Sequence, residues 1–251
     1  MGTAAIVSTT NSFLGILGDS LLFFAVTSLL LTSCGLAIAS ITLPPPLRRW
    51  GWLLAPFFGY SLLVIVSAWL VAFGATMEVA LLSTIALSIL ITCWAVWHHN
   101  LASVGSPRPL LLLLALAAPS FTITAITMAH NGSLAYVGGQ GDLYLLVPLA
   151  EWLKTHSAPM FSLSSSNLLA PYWNATVPPL GGWLDPGAHL TFQGHRADDT
   201  NFLLQRGSVY LQTALALLLG WDASLVFRPT QAFVFALSGP ATFAFSRITL
   251  R

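Results

Sequence analysis

Apolar runs broken by short polar turns fill the first half of the chain. A membrane-crossing helix needs about 20 mostly apolar residues. The pattern predicts such helices over Leu21 to Leu43, Trp52 to Phe73, Val79 to Trp97 and Leu110 to Met128. Pro44-Pro45-Pro46 ends the first, because proline brings no N–H to the helix ladder. Gly74-Ala75-Thr76 and Glu78 mark the turn between the second and third, and Trp94, Trp97, His98 and His99 close the third. Pro56 falls in the first turns of the second helix, where proline is tolerated, and Pro119 predicts a kink in the fourth. Two further apolar segments lie near the end of the chain. Val209 to Trp221 is short for a crossing, and Pro229 to Ile248 is interrupted by Gly239-Pro240. Asp222 to Arg228 reads as a polar break between them.

Between these two groups lies a polar interruption, Asn131 to Arg206. Eight of the 17 Asp, Glu, Lys and Arg residues fall in it, so any chemistry that needs charge belongs there. It opens with Gly138-Gly139-Gln140-Gly141, a flexible lead-out. A helix follows from Asp142, a good N-cap, through Lys154. Leu145, Leu149, Trp152 and Leu153 recur at three- and four-residue spacing and make one apolar face, which suits a helix lying in the membrane interface. The remainder is rich in Ser, Asn, Pro, Gly and aromatics and low in charge, which predicts an ordered loop.

The predicted fold class is therefore all-α: a polytopic membrane helical bundle of about six transmembrane helices, with one long external loop carrying a short interfacial helix. Three parts follow: N-terminal membrane helices over 1–130, the external loop over 131–206, and C-terminal membrane helices over 207–251. Composition agrees, since charged residues make up 7% of the chain against about 25% in soluble domains. A net charge of +1 gives no electrostatic case for nucleic acid. Met1 to Ser20 carries no Lys or Arg, so the basic start of a secretory signal is missing. Cys34 and Cys93 sit in apolar segments and read as small buried hydrophobes. Leu31-Thr32-Ser33-Cys34 has the look of a lipoprotein box, but the apolar run continues past it.

Orientation follows from basic loops, which stay on the cytoplasmic side. Arg48, Arg49 and Arg108 mark that side, so the protein is predicted to be integral and multi-pass with the long loop external. Arg228, on the next inner loop, agrees. Arg247 and Arg251 are expected to fall outside and disagree.

Several residues of the polar stretch can carry chemistry. Asp142 is an N-cap that could also serve as a general base at the membrane surface. Trp152, Trp173 and Trp183 could cover the apolar face of a sugar, or rest on the membrane interface. Arg196 and Arg206 suit a phosphate, where the guanidinium fork fits, or pair with nearby acids. Asp185, His189, His195 and Asp198 have ligand atoms for a metal, at a spacing that matches no compact motif. The residues name no cofactor outright, and a divalent cation is the one candidate.

An apolar helix, an external Gly-Asp, an interfacial helix reading Pro-Leu-Ala-Glu-Trp-Leu and a longer loop returning to the membrane together resemble the GT-C class of integral-membrane glycosyltransferases. The resemblance is one of layout and covers Leu110 to Ile248. It implies transfer of a sugar from a polyprenyl-phosphate carrier to an external acceptor, with the lipid bilayer and the sugar-bearing lipid as partners. It places Asp142 at the acidic catalytic position, with Glu151 as the second catalytic candidate on the same helix. It also implies more helices than this chain supplies, so the chain is expected to be the N-terminal portion of a longer protein. Two other classes stay open. One is a membrane transporter component, for which Pro119 and Gly239-Pro240 could break helices, although the spans lack the ionisable residues that mark a transport path. The other is a non-catalytic assembly protein whose loop binds a partner.

Overall fold

The computed structural model describes residues 13–98, 108–130, 147, 150–151, 153–155 and 207–249. Among them all regular structure is α-helical: α1 Phe13–Thr42, α2 Pro45–Arg48, α3 Gly51–Ala72, α4 Met77–Trp97, α5 Arg108–His130, α6 Gly207–Leu219 and α7 Ala223–Thr249. Three of these, α1, α3 and α4, are long and apolar enough to cross a membrane. That agrees with a multi-pass integral membrane protein in contact with lipid.

Helix α1 begins eight residues before the predicted start at Leu21. Gly15, Gly18 and Asp19 disguised its first turns as a polar lead. The Ser20 hydroxyl donates to the Ile16 carbonyl at 2.8 Å, which satisfies it within the helix. Pro44 closes the segment as expected, and the prolines after it open the short helix α2, where a missing N–H costs nothing. Helix α5 contains Pro119 and α7 runs on through Gly239 and Pro240. Cys34 is buried within α1, whereas Cys93 faces outward from α4, so only the first behaves as a buried hydrophobe.

Helices α1 and α3 pack most closely. A Cβ on Gly35 would run into the backbone of Ala55 and Gly59, and one on Gly59 into the backbone of Leu31. Glycine at both positions lets the two backbones touch, the close approach typical of helix pairs in membranes. Helices α1 and α4 run parallel: both lead from one end of the bundle to the other, and the Ser88 hydroxyl reaches the Ser33 carbonyl at 3.4 Å. The C-terminal ends of α1 and α4 and the start of α5 therefore share one end of the bundle. Arg48, Arg49 and Arg108 lie there.

A cluster of rings supports one direction for α7. Phe24 of α1 meets Phe121 of α5 at 5.1 Å and Phe233 of α7 at 5.5 Å between centroids. At 1.5 Å per residue, Phe24 lies about 16 Å from the start of α1 and Phe121 about 14 Å from the end of α5. Phe233 lies about 15 Å from the start of α7 and about 24 Å from its end. The three depths match when α7 starts at the end of the bundle where α1 starts and α5 stops. Arg247 then belongs to the opposite end, with Arg48, Arg49 and Arg108. That direction differs from the expectation that Arg247 falls on the other side from them. The expectation for Arg228 is corrected: it lies in α7, not in a loop, and donates to Gln231 Oε1 at 3.0 Å.

The reason is α6. Its 13 residues span about 20 Å, short of a 30 Å hydrocarbon core. Val209 to Ala216 are buried without a break, so every face of the helix meets protein. It packs on α3, α4 and α7. Its apolar residues join those of α1, α3, α4, α5 and α7 in one core. Enclosed in this way, a helix too short to cross leaves α7 to start at the end of the bundle opposite the Arg cluster, in agreement with the ring depths.

Candidate functional site

The described part of the polar stretch ends at Thr155, and it holds one polar cluster built on the α6–α7 turn. Val147, Ala150, Glu151 and Leu153 are helical, and Lys154 and Thr155 form a turn, so the helix predicted to run to Lys154 stops where expected. Its apolar side meets protein among these residues: Ala150 and Leu153 are fully buried in the common core. Leu145, Leu149 and Trp152 lie outside the described residues.

Helix α6 ends at Gly220, whose φ of +65° is open to glycine at little cost. Trp221 N–H donates to the Ala216 carbonyl at 3.0 Å and Gly220 N–H to that of Leu217 at 3.4 Å, the paired bonds of a glycine-terminated helix. Two residues later α7 begins, and the first N–H groups of a helix have no partner within it. Glu151 supplies one. Its Oε2 accepts from Ala223 N–H at 2.8 Å, and its Oε1 accepts from Lys154 Nζ at 2.7 Å. Lys154 Nζ also donates to the Trp221 carbonyl at 3.2 Å. A carboxylate beside a helix N-terminus and an ammonium beside the carbonyl of the preceding turn both match the local dipoles. Thr213 of α6 completes the join: its hydroxyl bridges the carbonyls of Val209 at 2.9 Å and Ala150 at 3.2 Å.

The cluster is half-buried, with the Lys154 side chain 18% and the Glu151 side chain 31% exposed. Partial burial shields the pair from solvent screening while leaving its tips in reach of water. Burial of Tyr210 in α6 pushes its hydroxyl up to about 12, so it stays neutral at physiological pH. The arrangement clamps Glu151 and Lys154, within the polar stretch, to the α6–α7 turn.

Of the residues singled out from sequence, only Glu151 lies among the described ones, and each of its oxygens already accepts a bond from the chain itself. Asp142, Trp152, Trp173, Trp183, Arg196 and Arg206 lie outside the described residues. So do Asp185, His189, His195 and Asp198. Among the described residues no group of three His, Cys, Asp or Glu is placed to hold a metal ion. Lys154 and Thr213 carry the join and were not singled out. Glu151 and Lys154 stand three apart, the spacing of a helical ion pair, which is a signal for that contact. Nothing local in the sequence signals the bond from Ala223, because its partner is 72 residues away. No family model matches the chain, and comparison with curated proteins and with solved structures found no match.

Proposed function

We propose that this protein is an integral membrane glycosyltransferase of GT-C type, in which α5 and α7 cross the bilayer beside α1, α3 and α4. The observation that supports this reading is the clamp. It holds Glu151 and Lys154, on the segment expected to follow Asp142, against the α6–α7 turn, which in this reading lies at the outer end of the bundle, opposite Arg48, Arg49 and Arg108. A transferase needs such anchoring, because a catalytic base acts only within hydrogen-bond reach of its proton.

In this reading the acceptor hydroxyl oxygen attacks the anomeric carbon of the donor sugar. The bond from that carbon to the phosphate oxygen breaks, and its electron pair leaves on the carrier phosphate. Asp142 takes the acceptor proton. Arg196 or Arg206 meets the charge that develops on the phosphate. Trp152, Trp173 and Trp183 cover the sugar, and Glu151 positions the helix. If the reaction uses a divalent cation, Asp185, His189, His195 and Asp198 are the residues to hold it.

The test is transfer from a panel of radiolabelled polyprenyl-phosphate sugars by membranes carrying the chain within its full reading frame. Asp142→Asn is run beside the wild type at equal expression. Transfer by the wild type and its loss in the variant are expected. Equal transfer by both removes Asp142 from the mechanism, and none by either sinks the transferase reading.

One observation favours a second reading, a non-catalytic assembly protein: Glu151, the one of the two candidate catalytic acids that lies among the described residues, is committed to holding α7. That reading expects no transfer with any donor and a partner protein that leaves the complex when the loop is deleted.

A further inference from the structure

An open groove of about 430 Å³ runs between the last turns of α1 and α4, at the end of the bundle that carries the arginines. Ile38, Ile41 and Thr42 form one wall, and Leu90, Ile91 and Trp94 the other. The wall is apolar even at Thr42, whose hydroxyl donates to the Ile38 carbonyl of its own helix at 2.8 Å. Both helices are long enough to cross a membrane, so the groove opens onto hydrocarbon.

Its mouth is basic. Arg48 donates through Nε to the Leu43 carbonyl at 3.1 Å, which brings its guanidinium beside the residue that follows Thr42. Arg49 is exposed, with its guanidinium 5.6 Å from the centre of the Trp50 ring. On the other wall the Trp94 ring packs against His98, with 4.7 Å between centroids. The groove thus ends beside Leu43 and Arg48 on one wall and His98 on the other, and Arg49 follows Arg48 in the chain.

We propose that this groove is a binding site for one anionic phospholipid, with an acyl chain between α1 and α4 and the phosphate at Arg48 and Arg49. Charge complementarity decides the occupant. A transmembrane helix would fill the slot without using the cations, and a zwitterionic lipid would gain little from them. The charge rule places this end on the cytoplasmic side, the leaflet where anionic lipids attract basic clusters. The site lies at the opposite end from the clamp and stands independently of the transferase reading.

The test uses the full chain in phosphatidylcholine vesicles. Lipid with brominated chains, either phosphatidylglycerol or phosphatidylcholine, is added at equal mole fraction. Bromine quenches tryptophan on contact, and subtracting the Trp94→Phe variant isolates the Trp94 signal. Phosphatidylglycerol is expected to quench Trp94 at several-fold lower mole fraction, with about fivefold preference for each cation that reaches the phosphate. Arg48→Gln with Arg49→Gln should bring the two lipids to parity. Because Arg48 also holds the Leu43 carbonyl, Arg49→Gln alone serves as the second variant and should remove part of the preference. Equal quenching by both lipids in the wild type overturns the site, as does a preference that neither variant alters. A Trp94 shielded from both brominated lipids means that protein fills the groove, and it overturns the site too.

Discussion

Helices α4 and α6 are both apolar, and they live in different surroundings. Helix α4 turns one face to the bundle and the other outward, where Val79, Leu82, Ile89, Leu90 and Trp97 are exposed. Helix α6 has no outward face from Val209 to Ala216, and it carries Gln212 and Thr213 fully buried. The contrast shows that hydropathy reports an apolar environment without saying whether lipid or protein supplies it. Lipid accepts a continuous apolar face and penalises polar side chains. A protein interior accepts a hydroxyl such as that of Thr213, provided that it finds carbonyls to bond.

The largest effect that would break this contrast is one of sidedness. If α6 does not cross and α7 does, Thr249 belongs to the bundle end that carries Arg108, and Asp222 to the other. In a cysteine-free background, Thr249→Cys and Arg108→Cys should react with a membrane-impermeant maleimide from one side, and Asp222→Cys from the opposite side. Reaction of Thr249→Cys and Asp222→Cys from the same side would mean that α7 does not run from one end of the bundle to the other.

A second comparison sets Leu215, fully buried in α6, against Leu90, which is 65% exposed on α4. Leu215→Ala should cost about 2–5 kcal/mol in reversible unfolding in mixed micelles, as buried leucines do. Leu90→Ala should stay within about 0.5 kcal/mol, as surface changes do. Similar losses at both sites would show that α4 is covered on its outer face.

The smallest of the three effects concerns the clamp. Glu151→Gln keeps an acceptor for Ala223 N–H but removes the charge that Lys154 and the helix start both meet. A loss of about 1–2 kcal/mol is expected. Glu78→Gln, an exposed acid in the first turn of α4, should lose less. If Glu151→Gln is neutral, the clamp does not hold α7.

The apolar segments were readable because a helix in lipid must satisfy its own backbone, and that demands long uninterrupted runs. Trp52 to Phe73 and Val79 to Trp97 agree with α3 and α4 to within two residues. The errors cluster where a helix carries residues that suggest a turn. Asp19 hid the start of α1, and Arg228 made the first turns of α7 look like a loop. Each is compatible with helix because an end turn of a helix reaches the polar edge of a bundle. Within the candidate site, the stop of the helix near Lys154 was legible from local pattern, while the role of Glu151 as partner to a distant helix was not.

The chain's own pattern determined that it is helical, apolar and organised around a polar interruption, since these follow from runs of side chains along one segment. Tertiary structure alone decided that α6 is enclosed by protein, that α7 starts at the end opposite the arginines, and that Glu151 caps it. Those facts depend on which segments meet, and the meeting is set by the shapes of packed faces: the backbone contact at Gly35 and Gly59, the rings of Phe24, Phe121 and Phe233, and the hydroxyl of Thr213 against Ala150. Such contacts join residues tens to hundreds of positions apart, beyond the reach of any periodicity in the sequence.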